Sequence, residues 1–384
     1  GGALWRGGSG EEPEQFGVFW QAWDIVQQNF VDRNALDPTA MTYGAIRGMV
    51  AALGDEGHTA FLTPEERERQ QSDLSGTFSG IGAQLGIRDQ LPVIVAPFDG
   101  SPADQAGVKA GDIIIKVDGE DVTTLPLNEI VAKIRGPEGT EVTLSLLRPD
   151  ENRSLEVTIT RGEIKVPAAS WAMIPGTQVA LIRLSQFSAN ALPDVVRSVN
   201  EAKQAGAEAL IVDVRNNPGG LLEQAISVTS QFLKDGNVLL EEDAQGRRKA
   251  YAVESGGVAT DLPLAVLINP GSASSAEIFA GAIQDHGRGQ LVGETTFGTG
   301  TVLQPYILDD GSALLLGTRQ WLTPNGRLIR KQGISPDVAV ELPIEADLLT
   351  PEEVKRMTAE ELSASADTQM LKALELLGAR PSAE

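Results

Sequence analysis

The chain opens its ordered pattern at Phe16, where Phe16, Phe19, Trp20, Trp23, Val26 and Phe30 recur at spacings of three and four. That is the period of one helix face, and the aromatic stripe is read as a packing surface. Thr42 to Leu53 reads as a second helix closed at Gly54. Thr63-Pro64-Glu65-Glu66 is a helix start, with a Thr cap, Pro in the first turn and acids at the positive end of the dipole. Between 76 and 163 the texture changes to short β-rich runs (Pro92–Ala96, Ile113–Val117, Val142–Leu147, Leu155–Ile159) separated by Gly, Pro and Asp turns. Two short helices, Ser101–Ala106 and Leu127–Ile134, interrupt them.

From Val179 the pattern changes again. Strands Val179–Leu184, Ala209–Val214, Leu264–Ile268 and Gln290–Val292 alternate with helices Leu192–Ala205, Leu221–Leu233 and Ala276–Gln284, and Ser312–Thr318 adds a further strand. Ala209–Val214 is apolar but for one acid, which predicts burial on both faces, and the alternation predicts parallel pairing. The end of the chain is helical, with a cap signal at Thr350-Pro351-Glu352-Glu353 and an amphipathic stretch Glu360–Leu377. Five segments follow: a flexible N-terminus (1–15), an N-terminal helical region (16–75), a compact β domain (76–163), an α/β core (164–345) and a helical C-terminal tail (346–384).

Composition narrows the chemistry. The 384 residues predict two or three domains. A formal net charge of −22 repels phosphate backbones and anionic lipid, so nucleic acid is not an expected partner. With no cysteine, thiol nucleophiles, disulfides and Cys zinc sites are excluded, and with two histidines, His58 and His286, so is a His-rich metal site. No metal or cofactor is expected. No run of 18 apolar residues offers a membrane span. The chain starts at Gly1, which suggests a trimmed N-terminus that carried a signal peptide or anchor. The missing cysteines fit, weakly, an extracytoplasmic (periplasmic or cell-envelope) protein.

Three constellations could carry chemistry. Ser79-Gly80-Ile81-Gly82-Ala83 precedes a strand; its backbone N–H groups could hold a carboxylate while the strand edge pairs with an extended peptide. Asp213-Val214-Arg215-Asn216-Asn217-Pro218-Gly219-Gly220-Leu221 ends a buried strand in a Gly-Gly turn. It is either an ordinary strand-to-helix turn or a place where free N–H groups stabilise an oxyanion. In Asn269-Pro270-Gly271-Ser272-Ala273-Ser274-Ser275-Ala276-Glu277, a serine at the helix start is either a cap or a nucleophile.

Read together, these motifs resemble the carboxyl-terminal processing (tail-specific) serine peptidases of the S41 type, from about Trp20 to Leu342. The carrying stretches are Leu53–Thr59, Ser101 through Gly119, Arg215–Gly220, Gly271–Glu277, Gly293–Gly298 and Trp321–Arg327. The resemblance implies a PDZ domain that recruits protein C-termini through Gly80, Ile81 and Gly82, ahead of a ClpP/crotonase-like α/β serine peptidase core. It implies Ser274 as nucleophile, an oxyanion hole drawn from Gly219 or Gly220 and Ser275, and a homodimer through the terminal helices.

Two positions depart from the family. Its general-base lysine falls at Thr299, within Phe297-Gly298-Thr299-Gly300, and its supporting glutamine falls at Leu303, with Gln304 one residue further on. A threonine hydroxyl has no useful basicity near neutral pH. Three readings stay open: Lys331 serves as the base; Thr299 and Gln304 orient a relay water; or the chain is a pseudoprotease that binds tails without cutting them. His58 is expected to be structural or interfacial, and His286 to lie at the far end of the serine helix.

Overall fold

The structure is a computed structural model and describes residues 14–55, 58–88, 90–98 and 100–381. All but two residues of the segment expected to be flexible lie outside that set.

The core is a six-stranded sheet in the order Ala169–Met173, Val179–Leu184, Ala209–Asp213, Leu264–Ile268, Gln290–Gly293, Val338–Ala339. The first pair is antiparallel and every later pair parallel. The sheet therefore grows in one direction from strand to strand. Right-handed crossovers then put each connecting helix on the same face. Ala191–Gln204, Leu222–Ser230 and Ser275–Asp285 all contribute to the cluster that includes Ile182, Leu210, Val212, Val266 and Ile268. The intervening positions, Leu181, Ile211, Ala265, Leu267 and Val292, point the other way.

That second face is covered by the C-terminal tail. Val354, Leu362, Met370, Ala373 and Leu374 pack on it. The tail is thus part of the core, and the expected single helix Glu360–Leu377 is two, Ala359–Ser363 and Thr368–Leu376. The break falls where Asp367 turns inward to cap the second helix and pair with Arg215. Arg215 is fully buried between Asp213 and Asp367, which joins the tail to the carboxyl end of a central strand.

The 76–163 module has its own core around Ile94, Ile114, Ile130, Leu144 and Ile159. Its antiparallel sheet runs Ala83–Arg88, Leu91–Pro97, Ile113–Val117, Glu141–Arg148, Arg153–Thr160, so Ala83–Arg88 is an edge strand. Thr77–Gly80 pairs with Gly162–Lys165 and brings the two ends of the module together.

A second sheet is built on the long strand Ala313–Leu322, which pairs with Thr301–Ile307, Asn237–Glu242 and Ala60–Leu62. The N-terminal region therefore supplies a strand to the core's periphery. Its first helix, Phe16–Asn29, has no buried residue, and Phe16, Trp20, Val26 and Phe30 stay exposed. Trp23 is partly buried and Gln27 Nε2 reaches Met41 Sδ of the next α-helix at 3.7 Å, so the stripe read as a packing face is only partly covered.

Candidate active site

Three loops leave the carboxyl ends of the adjacent parallel strands Ala209–Asp213, Leu264–Ile268 and Gln290–Gly293, the edge at which open α/β sheets place their ligands. The middle loop carries Ser274. Its backbone sits at φ 52°, ψ −114°, a left-handed conformation that costs a non-glycine residue about 1–3 kcal/mol and clusters at functional sites. The loop is fixed by the Ser272 hydroxyl, which donates to the Val214 carbonyl (2.8 Å), and by Ala273 N–H, which donates to the Asn217 carbonyl (2.9 Å). After Ser275, the first amides of helix Ser275–Asp285 go to backbone, Ala276 N–H to the Ala273 carbonyl (3.0 Å) and Glu277 N–H to the Ser274 carbonyl (2.9 Å). The Ser274 side chain makes no cap hydrogen bond and is partly exposed. Glu277 reaches back to the Ser274 N–H as the return half of a capping box, so the serine sits at the cap position with a partly exposed hydroxyl.

The Gly-Gly turn lies against it. A Cβ on Gly219 (φ +96°) would stand 2.7 Å from Ser274 Cβ, and one on Gly220 (φ +148°) 2.3 Å from the Phe187 carbonyl oxygen. Only glycine allows this approach. Gly219 N–H is committed to Asn217 Oδ1 at 2.8 Å. The N–H groups of Gly220 and Ser275 have no acceptor among the described residues, the second because it heads a helix. Of the expected oxyanion donors, these two are free.

Glu277 organises the site from below. It is fully buried and accepts four hydrogen bonds. Oε1 takes Thr296 Oγ1–H and Gly298 N–H (both 2.6 Å), and Oε2 takes Ser274 N–H and Thr299 N–H (both 2.9 Å). One carboxylate oxygen therefore holds the backbone of Ser274 and of Thr299 side by side. Burial pushes the Glu277 pKa up, and the four donated hydrogen bonds oppose that shift. Sequence reasoning used Glu277 only to define a motif. Its signal was the spacing of three after the serine, at a helix start, from which a Glu can reach back to the cap amide.

The remaining expected residues are placed as follows. Thr299 is buried beside the serine loop. Lys331, at φ 60°, gives its N–H to the Gly298 carbonyl (2.8 Å), while its ammonium is exposed and donates to the Gly54 carbonyl (3.1 Å), not to the serine loop. Gln304 is exposed in strand Thr301–Ile307, beyond a register shift at Val302/Leu303. His286 ends the serine helix and contacts the Asn237 carbonyl at 2.8 Å. His58 is buried, and its Nε2 lies 3.1 Å from the Gly298 carbonyl, so it borders the Thr299 loop. In the β module, the carbonyls of Ile81 and Gly82 accept from Ala103 N–H and Phe98 N–H (both 2.8 Å). The amides of Ile81 and Gly82 bond no described residue, and they adjoin the open edge Ala83–Arg88. Among the described residues no cluster of His, Asp and Glu could hold a metal, and no helix is long and apolar enough to cross a membrane.

Comparison with known proteins gives a consistent result. Residues 178–340 match the profile of peptidase family S41, and residues 93–148 match that of the PDZ domain. The carboxyl-terminal-processing protease of Synechocystis sp. is 38% identical over 363 residues, covering 93% of this chain and 81% of that protein. The carboxy-terminal processing protease CtpB of Bacillus subtilis is 35% identical over 326 residues, covering 84% and 67%. Among solved structures, a photosystem II D1 C-terminal processing protease superposes with a TM-score of 0.51 at 28% identity, over 90% of this chain and 97% of that one.

Proposed function

Because the chain belongs to the S41 family of carboxyl-terminal processing proteases, we propose that it is a serine endopeptidase that cleaves near protein C-termini, with Ser274 as nucleophile. The observation that carries this reading is the partly exposed serine at positive φ, flanked by two uncommitted N–H groups, Gly220 and Ser275. Attack of Oγ on a peptide carbonyl forms a tetrahedral intermediate whose oxyanion those amides would stabilise, and collapse expels the amine and leaves an acyl-serine. Water then releases the acid.

The free edge Ala83–Arg88 and the amides of Ile81 and Gly82 support recruitment of a substrate tail as an added strand, its carboxylate on the loop. The exposed side chains of Phe16, Val26 and Phe30 support pairing of two copies, and the lack of cysteine is in keeping with work outside the cytoplasm.

A second reading is motivated by Thr299: a scaffold that captures tails and leaves them whole. Labelling with a fluorophosphonate and hydrolysis of a peptide with an apolar C-terminus separate the two. The peptidase predicts labelling and cleavage, both lost in Ser274→Ala. Equal cleavage by wild type and Ser274→Ala would sink the assignment, and tight peptide binding without either reaction would establish the scaffold.

A further inference from the structure

A serine peptidase needs a proton acceptor, and the residue at the usual lysine position is a threonine. The loop that carries this threonine has a different titratable neighbour. His58 comes from the N-terminal region, 240 positions away in sequence, and is buried against the loop. Its ring meets that of Phe297 edge-on, with centroids 5.9 Å apart. Nε2 faces the Gly298 carbonyl at 3.1 Å, and a carbonyl can only accept, so Nε2 carries the proton and Nδ1 is bare. Nδ1 is shut off from solvent and, among the described residues, has no hydrogen-bond partner. Buried polar atoms left unpaired are rare and call for an explanation such as a catalytic role. A second one, Thr301 Oγ1, opens the strand that follows this loop.

A relay of hydrogen bonds links the ring to the Ser274 backbone. The Gly298 peptide that receives the imidazole on its carbonyl gives its N–H to Glu277, and the same carboxylate holds Ser274 N–H. The charged groups around the ring are Asp55, Arg330 and Lys331, with Glu277 beyond the Gly298 peptide. Burial, aided by Arg330 and Lys331 and opposed by Asp55, lowers the His58 pKa, which keeps the ring neutral and able to take a proton at neutral pH. Asp55 is itself fixed by Thr59 Oγ1–H (2.7 Å) and by Arg330.

We propose that His58 is the general base for Ser274, standing in for the lysine that Thr299 replaces. The proposal rests on the peptidase reading. In the substrate complex the bare ring nitrogen takes the Ser274 Oγ proton as Oγ bonds to the carbonyl carbon. The imidazolium then gives that proton to the departing amine as the C–N bond breaks. In deacylation the ring takes a proton from water as the hydroxyl adds, and returns it to Ser274 Oγ. The resting structure holds the ring on Gly298. For catalysis the bare nitrogen must reach Ser274 Oγ in the substrate complex; catalytic hydrogen bonds are often long in the free enzyme and tighten once substrate is bound.

The test uses the full chain and a quenched peptide substrate, with kcat/KM measured across pH. Wild type is expected to gain activity as the imidazole loses its proton, with the midpoint of the acid limb below that of an ordinary histidine. His58→Ala and His58→Gln are expected to lose about 10²–10⁴-fold at neutral pH, while urea midpoints show that they remain folded. Adding Thr299→Lys to His58→Ala supplies the base from the loop and is expected to restore turnover, with the acid limb moved to higher pH. A structural role for His58 predicts neither the shifted limb nor the rescue. If Ser274 labels and wild type cleaves, but His58→Ala cleaves at the wild-type rate or keeps the same acid limb, the base proposal is overturned and the peptidase stands. If wild type neither labels nor cleaves, both fall.

Discussion

Replacing Glu277 by glutamine removes a charge without changing shape, and the structure fixes what that does. Both carboxylate oxygens are occupied by donors, two on each. A glutamine has one acceptor oxygen and one NH₂, so two of the four donors must face a donor. The less costly orientation turns the NH₂ toward Thr296, whose hydroxyl can accept where it formerly donated, and keeps the amide oxygen on Ser274 N–H and Thr299 N–H. Gly298 N–H is then stranded. An unpaired buried donor costs about 1–3 kcal/mol, and the remaining bonds lose their charge assistance, so the total is roughly 2–4 kcal/mol. Because Gly298 and Ser274 share this carboxylate, kcat/KM is expected to fall along with stability. Urea unfolding followed by circular dichroism reads the first as a lowered midpoint at unchanged slope, and peptide hydrolysis reads the second. Full activity together with a stability change below about 0.5 kcal/mol, the range of ordinary surface substitutions, would refute the claim that Glu277 joins the two loops.

Two further outcomes follow from the ion pairs. Arg215→Met leaves Asp367 buried without its cation, while Asp213 keeps Arg183 at 2.9 Å; a loss of about 3–5 kcal/mol follows, and the 346–381 tail should become open to proteolysis at neutral pH; unchanged protection would show that the tail is held by its apolar contacts alone. In the PDZ domain burial works to raise the Asp112 pKa, but hydrogen bonds from Arg148 and Lys109 N–H outweigh it and hold the carboxyl below its usual range. Its folded pKa lies below the unfolded one, so its stabilisation is complete above the unfolded pKa and lost as pH falls through the folded value. Hydrogen exchange in the PDZ strands should therefore separate Asp112→Asn from wild type at pH 7, with the gap closing in acid; a gap that persists with acidification would contradict the assignment.

The sequence by itself determined most of the helices and the central parallel strands in their order, though not strands such as Ala169–Met173, Asn237–Glu242 and Thr301–Ile307. Apolar periodicity and turn chemistry are local, so Val179–Leu184, Leu264–Ile268 and Leu127–Ile134 occur in the structure with the bounds the pattern predicts. The same holds for the strand-loop-helix around Ser274 and the departure at Thr299. What needed the tertiary structure was every relation between distant positions. The tail folds onto the sheet because right-handed crossovers fill only one face, a property of topology that no local window contains. Lys331 and His58 both lie close to the Thr299 loop, yet one ammonium turns out to Gly54 while the other side chain is buried on Gly298 with a bare nitrogen. Side-chain direction is set by packing against residues hundreds of positions away, and only the folded chain brings those residues together.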